Sequence, residues 1–190
     1  MRVKICGITR PEDACFAEEA GADAIGVVLF SESKRSVPLE KAREIFEAVG
    51  PFVARVAVTH TASEEDLEEI LDLHPTAIQI FHPFIFRQNP GVKVIRVVPH
   101  GDPIPVDCDA IIIDESHGGG KLFDPASAGE IVCRSKVPVI LAGGLTAENV
   151  RDAIRRVHPY AVDVASGVEV SPGIKDHGKI RAFIAACRSF

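Results

Sequence analysis

The sequence predicts a parallel α/β fold, a (β/α)₈ TIM barrel whose helical ring is reduced or missing after the fourth and fifth strands. Three observations lead there. Apolar runs of strand length recur eight times along 190 residues, segments of helical period separate most of them, and no linker or composition shift divides the chain. Residues 1–190 therefore read as one domain. Length is the objection, because such barrels usually take about 250 residues and seldom fewer than ~200.

Each element follows from local pattern. Val3 to Cys6 is a short β-rich run, and Thr9 with Glu12 forms a capping-box pattern ahead of a helix that Gly21 stops. Ala24 to Leu29 is apolar without alternation, as a strand covered on both faces should be. Ala42, Ile45, Phe46 and Val49 recur at helical spacing, and Val53 to Val58 is a third strand. Ser63 to Asp72 reads as a helix with Leu67, Ile70 and Leu71 inward, and Ala77 to Ile80 as the fourth strand. Val92 to Val98 and Ala110 to Ile113 are the next two strands. A helix from about Pro125 to Cys133 leads to the strand Val137 to Leu141. Val150, Ala153, Ile154 and Val157 mark another helix, Ala161 to Val164 an eighth strand, and Ile180, Phe183, Ile184 and Cys187 a last helix capped by Asp176. Phe81 to Gly91 and Pro99 to Asp109 lack a helical stripe, which places the thinned part of the ring there. An open doubly wound sheet would want a phosphate loop after the first strand, and Cys6-Gly7-Ile8-Thr9 has no G-x-G-x-x-G.

Composition narrows the function. Hydrophobic residues are 46% and charged residues 25%, an ordinary globular balance that excludes disordered and fibrous classes. The net charge of -6 and the lack of a Lys/Arg run argue against nucleic acid, and the apolar runs are too short for a membrane. Five scattered cysteines with no C-x-x-C pair suit a reducing cytoplasm. The dispersed histidines form no H-x-x-x-H pair, so no metal is expected.

In a parallel barrel the chemistry collects at the C-terminal strand ends. Ala142-Gly143-Gly144 and Ala165-Ser166-Gly167 follow the seventh and eighth strands, where phosphate sites recur in this fold. Either loop alone reads equally well as a tight turn; the two together point to phosphate. Cys6 shares the inward face of the first strand with Lys4, and on its own reads as inert packing. Asp114 ends an apolar strand at the barrel mouth, where a protonated carboxyl could act as a general acid; a loop cap or a salt bridge to Lys121 is the alternative. Arg35 could fork onto a substrate carboxylate or be a solvated loop charge.

Taken together, these segments resemble the phosphoribosylanthranilate isomerases of tryptophan biosynthesis. The resemblance is carried by Lys4-Ile5-Cys6-Gly7-Ile8-Thr9, Gly21-Ala22-Asp23-Ala24-Ile25-Gly26, Ser33-Lys34-Arg35, Gly119-Gly120-Lys121-Leu122-Phe123-Asp124, Leu141 through Val150, and Val162 through Glu169 followed by Pro172-Gly173-Ile174-Lys175-Asp176. It covers nearly the whole chain, least well from Thr59 to Asp109. It implies an Amadori rearrangement of N-(5-phosphoribosyl)anthranilate without metal or cofactor. Cys6 would be the general base, Asp114 the general acid and Arg35 the carboxylate contact; Gly143, Gly144, Ser166 and Gly167 would grip the phosphate. The chain departs from the family's Gln-x-His-Gly run, with His82 one position late in Gln79-Ile80-Phe81-His82, and His60 stands where an Asn is usual. Two rivals remain. One is the related sugar isomerase of histidine biosynthesis, which carries acidic residues at both catalytic positions. The other is a phosphate-binding barrel without turnover. A homodimer or another partner is expected to cover the thin side at Phe81 to Phe86, with local folding of those aromatics as the alternative.

Overall fold

The computed structural model describes residues 1–86, 90–99, 101–114 and 124–189. Eight parallel strands close on themselves in sequence order: β1 (Arg2–Cys6), β2 (Ala24–Leu29), β3 (Ala54–Thr59), β4 (Ala77–Ile80), β5 (Lys93–Val98), β6 (Ala110–Ile113), β7 (Val139–Leu141) and β8 (Ala161–Val164). The barrel is sealed where β8 pairs with β1, Lys4 lying opposite Asp163. Six helices stand outside it among the described residues: α1 (Pro11–Glu19), α2 (Leu39–Glu47), α3 (Glu64–Leu71), α4 (Pro125–Arg134), α5 (Val150–Val157) and α6 (His177–Arg188). A short hairpin, β9 (Glu169–Ser171) and β10 (Ile174–Lys175), follows β8.

The uninterrupted apolar strands have a direct cause: both faces are buried, in different clusters. Val3, Ile5, Ile25, Val27, Ile78, Val94 and Ile111 pack outward against the helices. Cys6, Val28, Val56, Val58, Ile95, Val97 and Ile112 fill the barrel. Alternation of side chains then puts Lys4, Gln79 and Asp163 inside as well, and each is buried.

Helix ends follow the capping chemistry in part. Ser63, Asp124 and Asp176 each accept backbone N–H groups at the starts of α3, α4 and α6. The capping box expected at Thr9 is absent. Arg10 is the N-cap of α1, without a side-chain cap, and the Thr9 hydroxyl instead donates to the Gly173 carbonyl at 2.5 Å. That bond ties the loop after β1 to the hairpin after β8.

No helix lies in the described parts of the connections from β4 to β5 and from β5 to β6. What replaces one is Arg96, which points outward from β5 yet is only 7% exposed. Its Nη2 donates to the Phe84 carbonyl at 2.6 Å and to Asp107 at 2.7 Å, pinning both connections to the wall. Phe84 is buried, and Phe81 and Phe86 are half-buried against the barrel. The aromatics thus fold onto the thin side, leaving Ile85 and Val106 as its exposed apolar residues.

The two barrel mouths differ in chemistry. A cavity of about 480 Å³ opens at the N-terminal mouth, but its charges are spent on neighbours. Lys93 pairs with Asp109 at 2.7 Å and Arg2 lies over the Tyr160 ring. Reactive groups converge at the other end.

Candidate active site

The floor of the C-terminal mouth is an ionic triad inside the barrel. Lys4 Nζ donates to Asp163 Oδ1 at 2.9 Å and to Gln79 Oε1 at 3.0 Å, and it shares the space over Gly26 with the Cys6 sulfur. Burial would lower the Lys4 pKa, but Asp163 and Cys6 outweigh it and hold the ammonium charged. Cys6, one residue pair above, is 8% exposed. Burial pushes its thiol above the ordinary range, while Lys4 and Lys175 pull the other way. Space for this cluster comes from Gly26 on β2, opposite Cys6: a Cβ there would stand 2.8 Å from Sγ and 3.0 Å from Lys4 Cε.

Asp114 follows β6 directly and is half-buried. It is coupled to Asp163, whose carboxyl is pushed up by burial first and by Asp114 in addition, against the pull of Lys4. Acid candidate, base candidate and ammonium therefore share one electrostatic environment. The alternative partner Lys121 lies outside the described residues, as does the loop from Glu115 onward.

Arg35 is not a solvated loop charge. Its side chain is 15% exposed and forks onto Glu169, Nε to Oε1 at 2.8 Å and Nη2 to Oε2 at 2.7 Å. Lys175 Nζ joins the same carboxylate at 2.9 Å and donates to the carbonyls of Cys6 (2.6 Å) and Ala165 (3.2 Å). Burial works to raise the Glu169 pKa, but Arg35 and Lys175 more than offset it and hold the carboxylate ionised. Reading the sequence gave neither Glu169 nor Lys175 a role. Both lie in the segments that carry the family resemblance, but local pattern says nothing about a partner 134 residues away.

The two glycine loops lean on each other. Gly143 and Gly144 both take left-handed φ, 94° and 62°, which turns the chain sharply after β7. Asn149 fixes that turn, accepting from Thr146 N at 2.8 Å and donating to the Gly144 carbonyl at 2.9 Å. Helix α5 begins at Val150, behind this capping turn. After β8, Ser166–Val168 forms a 3₁₀ turn with Ser166 exposed. A Cβ on Gly167 would fall 2.0 Å from the Leu145 carbonyl oxygen, so only glycine allows the loops this approach. Gly167→Val should part them. We expect KM for a phosphorylated substrate to rise ~10-fold or more and competition by inorganic phosphate to weaken in parallel, with kcat little changed. An unchanged KM in the folded variant would remove these loops from substrate binding.

His60 and His82 part company. His60, just after β3, stacks on Phe81 at 3.9 Å and bonds Ser31 through Nδ1 at 2.9 Å, on the rim of the mouth. His82 is exposed and meets Phe84 edge-on at 4.7 Å, on the outer connection. Among the described residues no group of His, Cys, Asp and Glu is arranged to hold a metal, and no helix is long and apolar enough to cross a membrane.

Comparison with known proteins agrees with this geometry. The family model for N-(5'-phosphoribosyl)anthranilate isomerases matches residues 3–186. An N-(5'-phosphoribosyl)anthranilate isomerase of Methanoregula boonei is 66% identical over 189 residues, covering 99% of this chain and 97% of its own. Among solved structures, the phosphoribosylanthranilate isomerase of Thermus thermophilus superposes with a TM-score of 0.87 at 36% identity, covering 100% of this chain and 99% of its own. Another phosphoribosylanthranilate isomerase, solved with reduced 1-(o-carboxyphenylamino)-1-deoxyribulose 5-phosphate, gives a TM-score of 0.82 at 34% identity, with both chains covered in full.

Proposed function

The chain belongs to the N-(5'-phosphoribosyl)anthranilate isomerase family, and we propose that Cys6 and Asp114 are the base and acid of its Amadori rearrangement. The reaction turns N-(5-phosphoribosyl)anthranilate into 1-(2-carboxyphenylamino)-1-deoxyribulose 5-phosphate, a step of tryptophan biosynthesis. It needs one proton delivered and one removed, and the mouth holds a group for each. Asp114 protonates the ribose ring oxygen, opening the furanose to a cationic Schiff base. The Cys6 thiolate then takes the C2 proton, leaving an enolamine that tautomerises to the ketone. The observation that carries this reading is the Lys4 ammonium fixed by Asp163 over Gly26, beside Cys6, because only a thiolate is basic enough to act.

The remaining roles follow position. The Nη1 end of Arg35 meets the anthranilate carboxylate, while Gly143, Gly144, Ser166 and Gly167 receive the phosphate through backbone N–H groups. Cysteine at the proposed base position distinguishes this site from the histidine-pathway sugar isomerase, and a turnover-free barrel would bind the substrate without converting it. Residues 1–190 work as one domain, and five unpaired cysteines suit the cytoplasm. A homodimer through the Phe81–Phe86 flank would rest on Ile85 and on neighbouring Val106, since the aromatics themselves are packed inward. Light scattering showing a strict monomer at high concentration would dispose of it.

The pH profile tests the base. Burial pushes this thiol above its ordinary range and so favours the protonated form, so kcat/KM should climb as pH rises from neutral into the alkaline range. In the substrate complex the cationic Schiff base favours thiolate, so the limb in kcat should lie at lower pH. A kcat/KM independent of pH from 6 to 9 would show that Cys6 is not the titrating base.

A further inference from the structure

The proposed base, carboxylate contact and phosphate loop come from three different strand ends, and one buried carboxylate ties all three together. Glu169, at the start of β9, is 6% exposed. It takes the Nε and Nη2 protons of Arg35, the Gly173 N–H at 3.1 Å and one proton of Lys175. Lys175, whose side chain is 0% exposed, places its other two protons on the carbonyls of Cys6 and Ala165. The stem of Arg35 crosses Gly7, the residue after Cys6. A Cβ there would stand 2.5 Å from Arg35 Cδ, and the φ of +72° also favours glycine.

We infer that Glu169 is a positioning residue for substrate-carboxylate recognition: it holds the Nε/Nη2 edge of Arg35 so that the Nη1/Nη2 end faces the mouth beside Cys6. The inference rests on the reading of Arg35 given above. An arginine on a loop explores many rotamers, and an ion pair along one edge of its planar fork removes that freedom before substrate arrives. The geometry also fixes which edge remains for a second, bidentate carboxylate. The role assigned to Glu169 is thus exerted through Arg35.

A merely structural latch would not care whether the substrate carries a carboxylate. The test compares two glycosylamines made from ribose 5-phosphate, one with anthranilate and one with aniline, and follows the ketose product chromatographically. The native protein should prefer the anthranilate adduct, and Arg35→Ala should lose that preference. Glu169→Gln should lower the preference ~10-fold or more, read as the ratio of kcat/KM for the two adducts, so that any loss passed to Cys6 through Lys175 falls on both and cancels. In an Arg35→Ala background the same change should add little, because both substitutions remove one interaction. Should Glu169→Gln not fold, Glu169→Asp keeps the charge for Lys175 but is too short to hold both Arg35 nitrogens, and it should show the same loss. A folded Glu169 variant that keeps the preference, while Arg35→Ala loses it, overturns the inference and leaves Arg35 as the carboxylate contact. Preference retained in Arg35→Ala overturns the reading of Arg35 itself.

Discussion

Cys6→Ala should lower kcat by ~10²–10⁴-fold, the usual worth of a positioned general base, while affinity for the reduced product analogue changes little. Packing alone predicts something different. Cys6 lies in the inner cluster of the barrel, and loss of one sulfur there costs about 1 kcal/mol of stability, too little to unfold the chain or to stop turnover. Cys6→Ser sharpens the contrast, because it preserves shape but replaces the thiol with a group that does not ionise in the working range. If Cys6 only packs, both variants keep near-normal kcat. If it is the base, both fail at the chemical step with intact binding. Removing Lys4 instead is a poorer test, since it leaves Asp163 buried and unpaired and costs about 3–5 kcal/mol.

Asp114→Asn is expected to cut kcat by a similar ~10²–10⁴-fold, with substrate affinity largely kept. Asparagine has the shape of the carboxyl group but no proton to give to the ring oxygen. The accompanying stability change separates an acid from a loop cap. An acid's task concerns the substrate alone, so the asparagine variant should be as stable as the parent in urea denaturation. A variant that unfolds earlier while retaining kcat would make Asp114 a structural residue.

The strands were legible because burial on both faces leaves no polar positions to interrupt the run, as in Ala24–Leu29. The shortfall in length was legible too: both connections without a helical stripe lack a helix in their described parts. What the pattern could not show was how the wall survives that loss. Arg96 reads as a charge interrupting a strand, and its role depends on the Phe84 carbonyl and Asp107 meeting outside β5. The hairpin of β9 and β10 went unseen because its strands are three and two residues long and include buried Glu169 and Lys175. Those two residues join a network with partners 134 and 169 positions away, which no window along the chain samples. Cys6 is the same case. Read locally it is a small buried residue, and only Lys4, Asp163 and Gly26 around it turn it into a candidate base.

The most direct measurement is turnover of the unstable substrate itself. N-(5-Phosphoribosyl)anthranilate is generated enzymatically in the cuvette and its anthranilate fluorescence is followed on addition of this protein. The signal should decay faster in proportion to protein concentration, with the carboxyphenylamino-deoxyribulose phosphate accumulating in step. Decay no faster than the uncatalysed rate, by a folded protein that binds the reduced product analogue, would contradict the assignment.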